Sequence, residues 1–341
     1  MARELDVRYV LEGSVRRAGQ RVRITAQLIE GQSGKDLWTD RYDRDLEDIF
    51  AVQDDITKTV IGALAPELAE AERERAKSKL AGDLDAWDLY QRGMSFVWDR
   101  DKHTRKDETK RAKEYFQRAI EIDPDFSAAH SGVAICCFYN LNFGYSEDRD
   151  AEIAAGFQAG HRAVALDAGD SNAHDALGLI YLSNQEFDAA EASFQKAVDL
   201  NPNFNLARFH MGLVRNSVGD ADGALTVLEE VLGLSDRDTI LGTIHVQIAR
   251  AHFLRNDYEE SAEWARKGVM HPETGIWGNC VLVAALGQLD RLEEAADALT
   301  VLLRREPKFS CKFFLDALIA VGSEFREHMI EGLRKAGVPE E

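Results

Sequence analysis

Histidines and cysteines are the side chains of this sequence best suited to chemistry, and their spacing argues against it. His130, His174, His210 and His252 fall at or near first-helix positions of successive helical units. To hold one metal ion they would have to converge to about 2 Å from it. Neighbouring units instead offset side chains by roughly a helix diameter, about 10 Å. Cys136, Cys137, Cys280 and Cys311 show no CxxC and no other metal spacing. The adjacent Cys136 and Cys137 lie in an apolar helical stretch and read as small core fillers. The pairs Asp54-Asp55 and Glu259-Glu260 fall on helix surfaces and read as solvated faces. There is no GxxxxGK[ST], no GxGxxG after a strand, no HExxH and no GxSxG. The expectation is a chain that is not an enzyme, with no catalytic residues, metal or cofactor.

The elements that carry these residues are best read from Ser171 to Phe204. Leu177, Gly178 and Tyr181 are three and four residues apart, which puts them on one helix face. After the polar break at Ser183 to Glu186, Ala190, Phe194 and Ala197 mark a second helix, and Pro202 stops it. Gly178 and Ala190 are small where paired helices approach closely; Tyr181 and Phe194 are large where a gap must be filled. Two amphipathic helices, a short turn and a terminal proline in 34 residues resemble the tetratricopeptide (TPR) repeat.

The same phasing spreads along the chain. Leu89, Gly93 and Phe96 pair with Ala112, Phe116 and Ala119, with a longer connection between them. Val133, Ala134 and Cys137 open a degenerate second unit with an extension at 142–150, and Ala163 closes it. Met211, Gly212, Ala224, Leu228 and Val231 repeat the pattern, with Arg215 in place of the aromatic and Asp236 in place of the proline. Ile248, Ala249, His252, Tyr258 and Ala265 follow, with Ser261 where alanine is usual; then Leu282, Ala285, Leu286, Ala295, Leu299 and Leu302. Phe313, Phe314, Leu318, Phe325, Met329 and Leu333 suggest capping helices that seal the last apolar face. The expected repeats span 85–126, 127–170, 171–204, 205–238, 242–275 and 276–309, with caps over 310–341.

The first 65 residues are different. Val22, Ile24, Ala26 and Leu28 alternate with Arg21, Arg23, Thr25 and Gln27, the period of a strand with one buried face. With the β-rich stretch 7–15 before it and Leu37 to Tyr42 after it, they predict a three-stranded meander. A helix beginning near Asp45, with Ile49, Val52, Ile56 and Val60 in one stripe, would cover it. A charged helical connector is expected over 66–84. The wording Tyr9 to Val15, Arg21 to Ile29 and Trp38 to Gln53 resembles the TolB-like or FlgO-like α/β domain that precedes TPR arrays in bacterial proteins. That resemblance implies an earlier strand and helix, often behind a class III adenylate cyclase, a winged-helix domain or a membrane span, so the chain reads as a fragment or as starting downstream of the true start. A self-contained chain that satisfies the open sheet by dimerising is the other reading. The fold class expected is mainly α: a TPR solenoid behind a small, incomplete α+β domain.

Composition narrows the partners. The formal net charge of −19 argues against a general binder of nucleic acid or anionic membrane. No run of 18 apolar residues is present and no signal-peptide core opens the chain, so no membrane insertion is expected. The location expected is cytoplasmic, or periplasmic if a parent protein carries an upstream span.

Repeat phase assigns a partner groove to first-helix residues: Trp87, Tyr90, Met94, Trp98, Phe138, Tyr139, Asn172, Asp175, Leu179, Phe209, Leu213, Asn216, Arg250, Phe253 and Trp277. These slots are aromatic and aliphatic, with Arg250 the main cation, unlike TPR domains that grip a terminal carboxylate with Lys, Arg and Asn. Two fillers fit such a groove: a protein or peptide partner, or the chain's own parts and a second copy. The aromatics can also simply pack between helices. The function expected is a non-enzymatic scaffold; the alternative is a regulatory, sensory or dimerisation part of a larger signalling protein, an adenylate cyclase or transcriptional regulator.

Overall fold

The computed structural model describes residues 7–18, 21–31, 33–45, 60, 64, 67–73, 85–98, 105–234, 240–271, 274–317 and 323–341. The chain divides into two units, Met1–Leu84 and Asp85–Glu341.

The first unit holds a meander, β1 (Tyr9–Ala18), β2 (Arg21–Glu30) and β3 (Asp36–Asp45), in the order β1-β2-β3 with both pairs antiparallel. Val22, Ala26 and Leu28 are buried on one face of β2 together with Tyr42 of β3, as the period of two requires. Register sets Arg23 opposite Asp43, and the two form a forked ion pair at 2.6 and 3.0 Å. A register irregularity falls between Leu28 and Ile29. Of the helical stripe expected to cover this face, Val60 is described, is helical, and packs on Ala26 and Tyr42; the rest lies outside the described residues. Residues 67–73 are helical, and their Glu72 accepts hydrogen bonds from Tyr9 Oη at 2.8 Å and Arg8 Nη1 at 3.2 Å.

The second unit is a run of helix pairs: α1 (Ala86–Trp98) with α2 (Arg105–Ile122), α3 (Ser127–Asn142) with α4 (Arg149–Leu166), and α5 (Ser171–Ser183) with α6 (Phe187–Leu200). These are followed by α7 (Asn205–Val218) with α8 (Ala221–Leu234), α9 (Leu241–Leu254) with α10 (Tyr258–Val269), and α11 (Gly275–Gln288) with α12 (Leu292–Arg305). Short helix α13 (Cys311–Ala317) and α14 (Ser323–Lys335) close it. The expected fold class is therefore the one observed: a mainly helical solenoid with a small three-stranded sheet before it.

Pairing is set by large side chains seated where the partner helix has no side chain. A methyl placed on Gly178 would lie 2.6 Å from the ring of Phe194, and one on Gly212 would lie 2.7 Å from Leu228. Phe116 is held twice, against Gly93 of its own pair and Gly132 of the next. All three large residues are fully buried. Tyr181 packs half-buried against the core that holds Ala190 and Phe194 and also meets Phe157 of α4 edge-on at 5.1 Å.

Departures from the repeat pattern have local reasons. Arg215, in the slot of Tyr181, bridges Glu191 at 2.6 Å and Asp220 at 2.9 Å, replacing an aromatic contact with ion pairs. Ser261, in an alanine slot, donates to the Ala249 carbonyl at 2.8 Å and ties α10 to α9. Turns within pairs use left-handed residues: Gly219, but also Gln185, Asn256 and Asp290.

The cap is built on backbone proximity. α14 packs on α11 through Phe325, Met329, Ile330 and Leu333, all buried. Gly287 and Gly332 let the two backbones approach so closely that a methyl on either would strike the other helix's carbonyl. The segment after α14 returns to α13: Cys311 N–H donates to the Pro339 carbonyl at 2.8 Å and Lys312 N–H to that of Glu340 at 3.1 Å. Those are two of the donors a helix start leaves unpaired.

Candidate binding groove

Each first helix packs on the first helix of the next pair, from α1 through α3, α5, α7 and α9 to α11, and α14 continues the row. This row positions every residue the repeat phase singled out. Its partly open members are Tyr90, Met94 and Trp98 on α1, Phe138 and Tyr139 on α3, Leu213 on α7 and Trp277 on α11; Trp87 and Asn172 are exposed. At the α1 end the rings form a chain, Trp87 to Tyr90 at 5.6 Å and Tyr90 to Phe126 at 5.4 Å. Tyr139 continues to Phe143 at 6.0 Å, and Phe143 stacks on Tyr145 at 5.7 Å, so the extension after α3 is held by its own aromatics.

Five other residues assigned to the groove are interior. Asp175, Leu179, Phe209, Asn216 and Phe253 are all buried. A first helix is enclosed by its partner and by first helices on both sides, so the open strip is narrower than the face that phase alone marks out. Phe253 meets Tyr258 at 5.0 Å and Phe325 at 5.8 Å. Asp175 accepts from His210 Nδ1 at 2.7 Å, a buried pair joining α5 to α7.

The histidines brace helices. His130 Nε2 lies 3.0 Å from the Pro124 carbonyl and His174 Nε2 lies 3.1 Å from that of Ala168, the same contact in consecutive repeats. His252 faces Asp257 at 3.5 Å. Among the described residues no group of three His, Cys, Asp or Glu side chains could hold a metal ion.

Two polar clusters were not anticipated. Lys113 of α2 donates to Glu152 of α4 at 2.8 Å and to Cys137 Sγ of α3 at 3.4 Å, and Asn140 also donates to Glu152 at 2.9 Å. Burial alone would push the Glu152 carboxyl up; the hydrogen bonds from Lys113 and Asn140 outweigh it and hold the group below its ordinary value. Burial pushes the Cys137 thiol up to about 12, so Cys137 fills the core and accepts a polar contact as well. In the second cluster, Asn216 Nδ2 donates to the Gln247 backbone carbonyl at 3.0 Å and to Gln247 Oε1 at 3.2 Å, and Arg250 Nη1 donates to that same Oε1 at 3.2 Å. The Arg250 guanidinium lies 5.1 Å over the ring of Phe325. Its desolvation lowers its pKa to about 10, against a smaller opposing effect of Cys280. The polar residues at 216 and 247, on helices otherwise apolar there, were the available signal; Phe325 comes from the cap and no repeat phase reaches it.

The fold and this row define an α-solenoid of stacked helix hairpins. More particularly, the chain carries tetratricopeptide repeats: family models of the tetratricopeptide repeat match residues 171–204 and 103–126. Among curated relatives it is 37% identical over 191 residues to "Putative adenylate cyclase 3" of Rhizobium meliloti (strain 1021), a match covering 56% of this chain and 32% of that protein. It is 25% identical over 133 residues to "Anaphase-promoting complex subunit 3" of Schizosaccharomyces pombe, covering 39% of this chain and 18% of that one. The chain thus spans a third or less of the length of both relatives. Among solved structures it resembles the Cut9-Hcn1 hetero-tetramer of the APC/C, with a TM-score of 0.58, 15% identity and coverage of 77% of this chain and 48% of that one. It also resembles the type IV pilus biogenesis factor PilW, with a TM-score of 0.50, 14% identity and coverage of 66% and 94%. These two likenesses concern the fold alone. No helix among the described residues is long and apolar enough to cross a membrane.

Proposed function

We propose that this chain is a non-enzymatic scaffold that takes a protein or peptide partner along its first-helix row. The observation that carries the reading is the partial exposure of large side chains along one row of first helices: Tyr90, Met94 and Trp98 of α1, Phe138 and Tyr139 of α3, Leu213 of α7 and Trp277 of α11. An amphipathic helix or extended apolar segment is the chemistry that would cover such a strip. The test is selection of peptides from a display library on the full chain, followed by binding to Tyr139→Ser with Trp277→Ser and to a control change on α12, Val301→Ser. Selected peptides should weaken by about tenfold or more on the double variant, the scale of losing two aromatic anchors, and bind the control unchanged. Equal binding to all three proteins would remove the groove from the argument. Phe253→Ala is unsuited to this test, because a fully buried phenylalanine leaves a cavity costing about 3–5 kcal/mol.

The 37% identity to the Rhizobium relative supports a second reading, compatible with the first. Here the array is the regulatory part of a larger nucleotide-cyclase polypeptide, and the partner is another part of it or a second copy. Light scattering over a concentration series separates these: a dimer that the double variant dissolves assigns the strip to self-association, and a monomer at all concentrations excludes it.

A further inference from the structure

We propose that β1 is a self-pairing edge, along which a second copy of this chain lays its own β1 antiparallel, centred on Gly13. This inference is independent of the partner strip above. It begins with the two edges of the sheet, which are built differently. β3 carries Asp36, Asp40, Asp43 and Asp45, and the ladder beside it is irregular between Leu28 and Ile29. Charge and irregularity both discourage a sheet edge from pairing again. β1 is ten residues long, contains no proline and keeps an unbroken register against β2. Among the described residues no strand lies beyond it, and every residue from Leu11 to Ala18 is exposed.

The backbone of β1 faces outward at fixed positions. Gly31 N–H donates to the Arg8 carbonyl at 2.7 Å, one step beyond the pairing of Tyr9 with Glu30. Bonding to one neighbour alternates along an antiparallel strand, so Leu11, Gly13 and Val15 turn their N–H and C=O away from β2. The side chains of Leu11 and Val15 lie on the same face as buried Val22, Ala26 and Leu28, yet they are 52% and 68% exposed. Two apolar rows cross the sheet there: Trp38, Leu28 and Leu11 form one, and Tyr42, Ile24 and Val15 the other. Both end at the open edge.

One antiparallel pairing of these outward residues joins both rows. With Gly13 opposite Gly13 of the second copy, Leu11 faces the copy's Val15 and Val15 faces its Leu11, so each row runs on into the other row of the copy. Sliding the copy by two residues either way sets Leu11 against Arg17 or against Gly13 instead. At the two-fold axis only small residues meet, Gly13 with Ala26 beside it. On the reverse face each Glu12 stands diagonal to the copy's Arg16, within reach of long side chains. The edge is thus complementary to itself about a two-fold axis, as a symmetric dimer requires. That self-match favours a second copy over an unrelated strand.

The experiment is light scattering of the full chain over a concentration series, joined to disulfide trapping with oxidised glutathione. The four natural cysteines are buried, and a Cβ at residue 13 would meet nothing nearer than the Thr25 carbonyl oxygen at 3.6 Å. Gly13→Cys should form a covalent dimer, since opposed Cα atoms in such a ladder are about 5.5 Å apart. Val15→Cys alone should link about tenfold more slowly or less, its equivalents lying about 13 Å apart, and should link readily when mixed with Leu11→Cys. Val15→Pro removes an outward N–H that β2 does not use and should raise the dimer dissociation constant about tenfold or more. Val15→Lys, at a position already exposed, serves if the proline variant does not fold. Tyr139→Ser with Trp277→Ser should leave this dimer intact, which separates it from association through the strip. A chain monomeric at every concentration would leave the edge to a strand of some other protein and overturn the proposal. So would a dimer that both Val15 changes leave unaltered, or Gly13→Cys linking no faster than Val15→Cys.

Discussion

Gly287→Ala should release the cap from the array. The added methyl would sit on the carbonyl of Gly332, 2.9 Å from its carbon and closer still to its oxygen. Overpacking usually costs about 1–3 kcal/mol, partly because side chains can yield. Here the obstacle is backbone, and α14 carries Phe325, Met329, Ile330 and Leu333 on the same face, so it cannot shift without giving up buried contacts. The upper end, about 3 kcal/mol, is the appropriate figure, and it corresponds to roughly a hundredfold change in an opening equilibrium. Hydrogen exchange read by helix is the suitable assay, since a repeat array need not open as one unit. Amides of α14 should exchange about a hundredfold faster in the variant, while α5 and α6 keep wild-type protection. Release would also uncover Phe253 and the guanidinium of Arg250, both of which meet Phe325, so a fluorescent apolar probe should bind the variant. Unchanged exchange in α14 would show that the two helices are not locked by their glycines, and the account of the cap would fail.

Three further outcomes follow from contacts already described. Phe116→Ala empties the space between Gly93 and Gly132 and should cost about 3–5 kcal/mol, lowering protection in α1 and α3 together rather than in α1 alone. Ser261→Ala deletes one buried hydrogen bond and should cost about 1 kcal/mol in urea unfolding; no loss would make the serine incidental. Glu152 has a folded pKa below its ordinary 4.5, so it contributes stability fully above that value and loses it as pH falls through the folded value. Acid unfolding of wild type should therefore show a steeper loss below about pH 4.5 than Glu152→Gln, and superimposable acid profiles would refute the role of Lys113 and Asn140.

Much of the architecture was legible because it is repetitive. Gly178 and Phe194 announced themselves by size and spacing, and the same alternation found Gly93 with Phe116 and Gly212 with Leu228. The alternation of Val22, Ala26 and Leu28 likewise marked the buried face of β2. The groove was legible only as a set of phases. Phase says which way a side chain leaves its helix, and burial then depends on what stands opposite, which for Phe253 is Phe325 from a helix outside the repeat pattern. Polar clusters were hidden for a related reason. Lys113, Cys137 and Glu152 come from three helices, and Asn216 meets Gln247 across two, so no single window of sequence contains either group.

The seating of one large side chain against one glycine has a consequence for descent. Gly178 with Phe194, and Gly212 with Leu228, are each internal to one helix pair. A duplicated segment of this length therefore arrives with its own lock, and a deleted one takes its lock away. Other seats span two pairs: Phe116 also engages Gly132 of the following pair, Ile180 of the third pair sits against Gly156 of the second, and Val246 of the fifth meets Gly278 of the sixth, which makes those pairs harder to separate. Over generations the array can change its length more readily at seams that no such seat spans.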